Sequence, residues 1–192
     1  MQIQQIQLQL HPYLRLRGQP QAPLPEPEQG FIRWDMRYPI RSASFSTESS
    51  SRSWTRGRSA PATWPPTTDI LVMSPAFPWA VEIHDPDGVT VGRVMETLDL
   101  ELHQRVAKNE MPPDQEQFKR LATSYHNNRK ELRGFLMEGM LRVDFLGERT
   151  EFGGLVQDEK LLGDRMNMMQ YPNAFSLVCE PRMHEVAPVG VL

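Results

Sequence analysis

Residues 31–40 (FIRWDMRYPI) alternate between apolar and charged positions: Ile32, Trp34, Met36, Tyr38 and Ile40 fall on one side, Arg33, Asp35 and Arg37 on the other. A period of two predicts a half-buried strand with an Arg-Asp-Arg row on its outer face, ended by Pro39. A short apolar run at 69–73 (DILVM) predicts a buried strand. Trp79, Val81 and Ile83 then alternate with Ala80, Glu82 and His84 to predict another, stopped by the turn sequence Asp85-Pro86-Asp87-Gly88. From Val91 the period changes. Val91, Val94, Met95, Leu98, Leu102 and Val106 recur at helical spacing behind Thr90, a good N-cap, and predict a helix over 91–109. A second helix is expected over 114–132, capped by Asp114 with Gln117 three residues on. Its apolar face holds Phe118, Leu121, Ala122, Tyr125 and Leu132, its outside holds His126 to Lys130, and Gly134 ends it.

In residues 140–156 (MLRVDFLGERTEFGGLV) two apolar runs flank Gly147-Glu148-Arg149-Thr150, which predicts a hairpin. Val143 and Phe145 face inward, and Arg142 and Asp144 form an outer row. Gly153-Gly154 allows the hairpin to fit closely against the sheet. If the Arg142/Asp144 row lies beside Arg33-Asp35-Arg37, the two strands present one charged surface. Downstream, 157–171 contains a possible short helix and the gap-filling methionines Met166, Met168 and Met169, and 175–179 (FSLVC) reads as a last strand.

The remaining segments lack a period. Residues 1–30 are Gln- and Pro-rich and read as a flexible arm, although Ile6, Leu8 and Leu10 alternate with Gln and could add an edge strand. Residues 41–66, rich in Ser, Thr, Arg and Pro, read as a disordered insert; their serines beside arginines suit phosphorylation, which would reverse the local charge. Residues 181–192 read as a loose tail. The expected architecture is a single α+β domain over 31–180, a mostly antiparallel sheet with two helices packed on one face.

Composition narrows the functional classes. The chain has 192 residues, 39% of them apolar, which suffices for one modest core, and its 17 prolines restrict regular structure in the first third. Residues 1–66 carry eight arginines against four acids, whereas the rest carries 13 basic against 20 acidic residues. With one cysteine, Cys179, an intramolecular disulfide is impossible. No signal-peptide pattern opens the chain and no apolar run approaches the ~18 residues of a membrane helix, so an intracellular protein of cytoplasm or nucleus is expected, with no membrane partner.

Motifs for chemistry are sparse. There is no G-x-S-x-G elbow, and Cys179 sits inside an apolar strand, where a thiol is inert. Asp85-Pro86-Asp87-Gly88 lacks the ligands of a calcium loop, and no Lys-Ser/Thr follows Gly153-Gly154 as in a phosphate loop. Glu148 and Glu151 read as a solvated face. No cofactor or metal is expected. The leading expectation is a non-catalytic protein-interaction or scaffold module that uses Arg33, Asp35, Arg37, Arg142 and Asp144 as its surface. One alternative is nucleic-acid binding through the Arg/Ser-rich 41–66 insert, with the arginines of 33–58 interleaved by Trp34, Trp54 and Trp64. The other is an unrecognised enzyme around His84, Asp85 or His126.

Several motifs in order resemble a domain family of unknown function found in mushroom-forming (basidiomycete) fungi. They are His11-Pro12-Tyr13-Leu14, Arg33-Trp34-Asp35-Met36-Arg37-Tyr38-Pro39, Pro75 with Pro78-Trp79, Val89-Thr90-Val91, and Arg142-Val143-Asp144-Phe145-Leu146 leading to Phe152-Gly153-Gly154-Leu155. The resemblance spans about residues 11–155 and implies a single domain and a fungal origin. It implies no activity.

Overall fold

The computed structural model describes residues 8–17, 30–49, 51–132, 136–165 and 171–182. In chain order these form β1 (Gln9–Leu10), β2 (Ile32–Arg33), β3 (Ser44–Phe45), β4 (Thr63–Trp64), β5 (Asp69–Ser74), β6 (Phe77–His84), α1 (Val91–Leu102), α2 (Gln115–Glu131), β7 (Glu151–Val156), α3 (Glu159–Arg165) and β8 (Ala174–Glu180). The class is α+β, as the alternation of periods implied.

The central sheet has the order β6-β5-β8-β7. β5 and β6 pair antiparallel, with Ile70 opposite Ile83 and Val72 opposite Val81, and all four side chains are buried. β8 joins β5 in parallel and β7 antiparallel. The parallel pairing needs a long crossover, and everything from α1 to α3 supplies it. The outer edge of β7 is closed by other parts of the chain: Arg15 bridges Leu155, Asp35 bridges Glu151, and the Phe152 N–H donates to the Trp34 carbonyl at 2.9 Å.

α1 starts at its expected cap: the Arg93 N–H donates to Thr90 Oγ1 at 3.1 Å. It buries Val91, Val94, Met95, Leu98 and Leu102, each contributing about 1.5–3 kcal/mol, and it packs on β6. It ends at Leu102 rather than 109 because residues 104–106 leave to pair with 140–142, with the Val106 N–H donating to the Met140 carbonyl at 3.0 Å. α2 is capped as expected, by Asp114 accepting from Glu116 N (3.2 Å) and Gln117 N (3.3 Å). It packs on a 3₁₀ helix at Arg142–Leu146 and leaves Phe118 42% exposed.

Three expectations need correction. Residues 140–156 are not a hairpin. Asp144 accepts from the Leu141 N–H at 2.9 Å and donates its own N–H to the Leu141 carbonyl at 2.9 Å, which winds 142–146 into the 3₁₀ helix, so that β7 pairs with β8 instead. The 31–40 strand is short as well: after Ile32–Arg33, Asp35 makes a turn by accepting from the Arg37 N–H at 3.1 Å. Ile32, Trp34 and Met36 are still buried as a set.

The third concerns 41–66, which, Ser50 apart, is described and folded rather than disordered. Ala43, Phe45, Trp54 and Ala62 are core residues. The carbonyls of Ala60 and Arg58 accept from the first α1 amides, Val91 N (2.9 Å) and Gly92 N (2.8 Å), donors that a helix start leaves without partners. Of the expected arm, residues 8–17 join this assembly: β1 pairs with β4, and Tyr13 and Leu14 are buried. Gly134, the methionines 166, 168 and 169, and the tail from 183 onward lie outside the described residues. Among the described residues no helix is long and apolar enough to cross a membrane.

Candidate functional site

Arg37 and Asp144, expected on an outer face, are 5% and 1% exposed. The Arg37 guanidinium donates to Asp35 Oδ2 at 2.7 Å, to Glu131 Oε2 at 2.6 Å and to Asn128 Oδ1 at 3.4 Å. Asn128, which is 1% exposed, donates in turn to Asp144 Oδ1 at 2.8 Å. Asp144 also accepts from Arg129 Nη1 at 3.1 Å and Nη2 at 3.2 Å. One member of each expected row, Arg37 and Asp144, is therefore linked through Asn128 of α2, inside the protein, whereas Arg33 and Arg142 are held elsewhere. Buried charges are tolerated only when paired and hydrogen-bonded, and these are. Burial opposes the Arg37 charge, yet Asp35 and Glu131 outweigh it and raise its pKa. Arg37, chiefly, and Arg182 hold Glu131 below the usual carboxylate range.

The other expected surface residues are also engaged. Arg33 donates to the Ser46 carbonyl at 3.0 Å and pins the turn after β3. Asp35 lies near Glu151, whose carboxyl is raised first by burial and then by that negative neighbour. Arg142 pairs with Glu101 and Glu110 and lies over the Trp79 ring at 4.9 Å from its centroid. Trp79 stacks on Phe77 at 4.7 Å and meets the Phe145 ring edge-on at 5.0 Å.

This framework backs a cleft of about 580 Å³, within the size range of ligand sites. The β5–β6 turn contributes Pro75 and β6 contributes Pro78, the segment before α2 contributes Pro112 and Pro113, and Phe77 and Phe145 complete the apolar wall. Gln117, Arg120 and Arg165 supply polar groups. A second groove of about 480 Å³, lined by Leu71, Trp79 and Glu82, shares Pro78 and Arg165 with the first. Each of these prolines fixes its own φ and lacks an N–H, so the wall they form carries no backbone donor at those positions. Arg165, exposed at the end of α3, has no ion pair among the described residues, and partial desolvation lowers its pKa.

The residues of the enzyme expectation lie apart from both grooves. His84 Nδ1 is 2.7 Å from Asp69 Oδ1 with both side chains largely exposed, Asp85 accepts from the Asp87 N–H within its turn at 3.1 Å, and exposed His126 lies edge-on to Tyr125. Burial pushes the Cys179 thiol up to about 12. Among the described residues no group of three or more His, Cys, Asp or Glu is placed to hold a metal. In the segment of the nucleic-acid expectation, Trp54 is buried with Arg58 over its ring at 5.5 Å, and Arg58 pairs with Glu96, whereas Trp64 is 69% exposed.

Sequence reasoning placed Asn128 and Arg129 outside and passed over Arg120 and Arg165. A signal for Asn128 existed: Leu121, Ser124 and Asn128 share one helical stripe, and all three are buried.

A family model described as a family of unknown function, DUF6699, matches residues 32–163, and the chain belongs to that family. No curated protein and no solved structure matches the chain.

Proposed function

We propose that this member of the DUF6699 family is a non-catalytic, intracellular protein-interaction module that receives an extended peptide of a partner protein in the proline-walled cleft. One observation carries the reading: a cleft of about 580 Å³ in which aromatic and proline walls converge with a few polar side chains. Arg142, Asp144 and Arg37 then serve as the frame that holds β6, α2 and the 3₁₀ helix around the cleft, and Arg33 and Asp35 brace the neighbouring turn. A fungal origin, suggested by the motif order shared with proteins of mushroom-forming fungi, belongs to the same reading. Nucleic-acid binding through 41–66 has less support, because Trp54 and Arg58 are committed within the fold. An enzyme built on His84, Asp85 and His126 has less support because these groups do not converge on a cleft.

Gln117→Trp tests the proposal by filling the cleft from an exposed position on α2. Partners that co-purify with the wild-type chain from a fungal lysate, and are lost with Gln117→Trp at unchanged melting temperature, support it. Identical partner sets for the two proteins would overturn it.

A further inference from the structure

The charges that line the cleft are unequally satisfied. Its two acids are already neutralised: Glu110 is held by Arg142, and Asp144 by Arg129 at 3.1 Å. Its two cations are not. Among the described residues Arg120 has only Glu116, at 3.7 Å across an exposed helical turn, a contact that contributes little. Arg165, exposed at the end of α3, has no acidic partner among the described residues and lines both grooves.

The walls sharpen this imbalance. Pro75, Pro78, Pro112 and Pro113 have no N–H, so four backbone positions that could have met a ligand oxygen donate nothing. At those four positions an acceptor is met by neighbouring side chains, and a guanidinium presents a planar fork that matches a carboxylate. Arg165 also stands where the cleft meets the Trp79 groove, so one bound carboxylate would fix the register of a peptide crossing Pro78. Across that junction the groove carries Glu82, which repels a second acid and favours an apolar or basic residue against Trp79. Residues 67–192 carry 13 basic and 20 acidic residues, so the rest of this body repels an acidic ligand and the cleft is a local exception.

We infer that the partner segment is an acidic extended peptide, with an Asp or Glu carboxylate seated on Arg165, flanked by Arg120, and an uncharged or basic residue beyond it toward Glu82. The inference rests on the peptide-binding reading above.

A random twelve-residue peptide library displayed on phage, selected on the immobilised full-length chain, tests it. Enriched peptides are synthesised with a fluorophore and titrated by anisotropy against wild type, Gln117→Trp and Arg165→Gln; Arg165 makes no bond within the described fold, so its replacement leaves the melting temperature unchanged. The expected result is a pool with an acidic residue at one position, blocked by Gln117→Trp. Affinity should fall about tenfold or more, as for a lost charge-assisted pair, when that acid becomes its amide or when Arg165 becomes Gln. Peptides that are blocked by Gln117→Trp but show no acidic position, or are indifferent to Arg165→Gln, would overturn the acidic inference and leave the peptide-binding reading standing. No enrichment, or enriched peptides indifferent to Gln117→Trp, would overturn both.

Discussion

The side-chain amide of Asn128 joins Arg37 to Asp144: its oxygen accepts from the guanidinium at 3.4 Å and its nitrogen donates to the carboxylate at 2.8 Å. One neutral residue of α2 thereby ties the turn after β2 to the 3₁₀ helix behind the cleft. Asn128→Ala removes a donor from a carboxylate that is 1% exposed, and should cost about 1–3 kcal/mol. Asn128→Asp should cost more, because it places a second negative charge against Asp144 with no water to screen it. Urea unfolding followed by far-ultraviolet circular dichroism measures both, and an aspartate variant as stable as the alanine one would refute the buried relay.

Glu151 is a liability at neutral pH. Burial, followed by the nearby Asp35, raises its carboxyl in the folded chain, so the native state holds this proton more tightly than the unfolded chain does. The stability this residue contributes is therefore full below the unfolded carboxylate value of about 4.3 and is lost as pH rises through the raised one. Glu151→Gln should melt higher than wild type at neutral pH, despite the loss of its long contact with Arg17 at 3.7 Å. The gain should shrink as the pH is lowered into the carboxylate range, and calorimetry across that range reads it directly.

His103 has the complementary behaviour of a raised base. Burial opposes its charge, but Asp99, with Oδ1 3.0 Å from Nδ1, and the Arg37 carbonyl, 3.2 Å from Nε2, outweigh burial and raise the imidazole pKa. A protonated ring donates from both nitrogens, a neutral ring from only one. Its contribution is full below the unfolded value of about 6.5 and is lost as pH rises through the folded one. The melting-temperature gap between wild type and His103→Gln should be widest below the unfolded value of about 6.5 and narrow as pH rises above it. A gap that is flat with pH would remove His103 as a titrating contact.

Gly154 has φ +117°, and a Cβ there would fall 2.4 Å from the Arg15 carbonyl oxygen. Gly154→Ala should therefore cost about 1–3 kcal/mol in backbone strain alone, with displacement of the 15–17 segment in addition. Gly163 in α3 has nothing within 4 Å of such a Cβ, and Gly163→Ala should stabilise by about 0.5–1 kcal/mol. Thermal unfolding of the pair tests whether the loss at 154 is positional rather than a general effect of losing glycine.

Local patterns made much of this protein legible. Thr90 and Asp114 cap α1 and α2, the apolar stripe of α1 is buried throughout, Ile32, Trp34 and Met36 share an inner face, and the strands at 69–74, 77–84 and 174–180 fall where the apolar runs indicated. Each depends on residues within a few positions of one another. The close fit of Gly153-Gly154 was legible in kind, though the backbone it meets at Gly154 belongs to Arg15 and Leu16, far away in sequence. The cleft was not legible, because its lining comes from four separated stretches that only the fold brings together.

Sequence by itself thus determined the α+β class, the helix starts and the inward faces, since capping and periodicity are local properties of the chain. Tertiary structure alone decided which charges are buried. Arg37 and Asp144 belong to patterns that read as solvent-facing, and a charge enters the interior only where partners from other segments, here Glu131, Asn128 and Arg129, replace its water. It likewise decided that 41–66 is folded: Phe45 and Trp54 are too few for a periodic signal, and their burial depends on a pocket that the remainder of the chain builds.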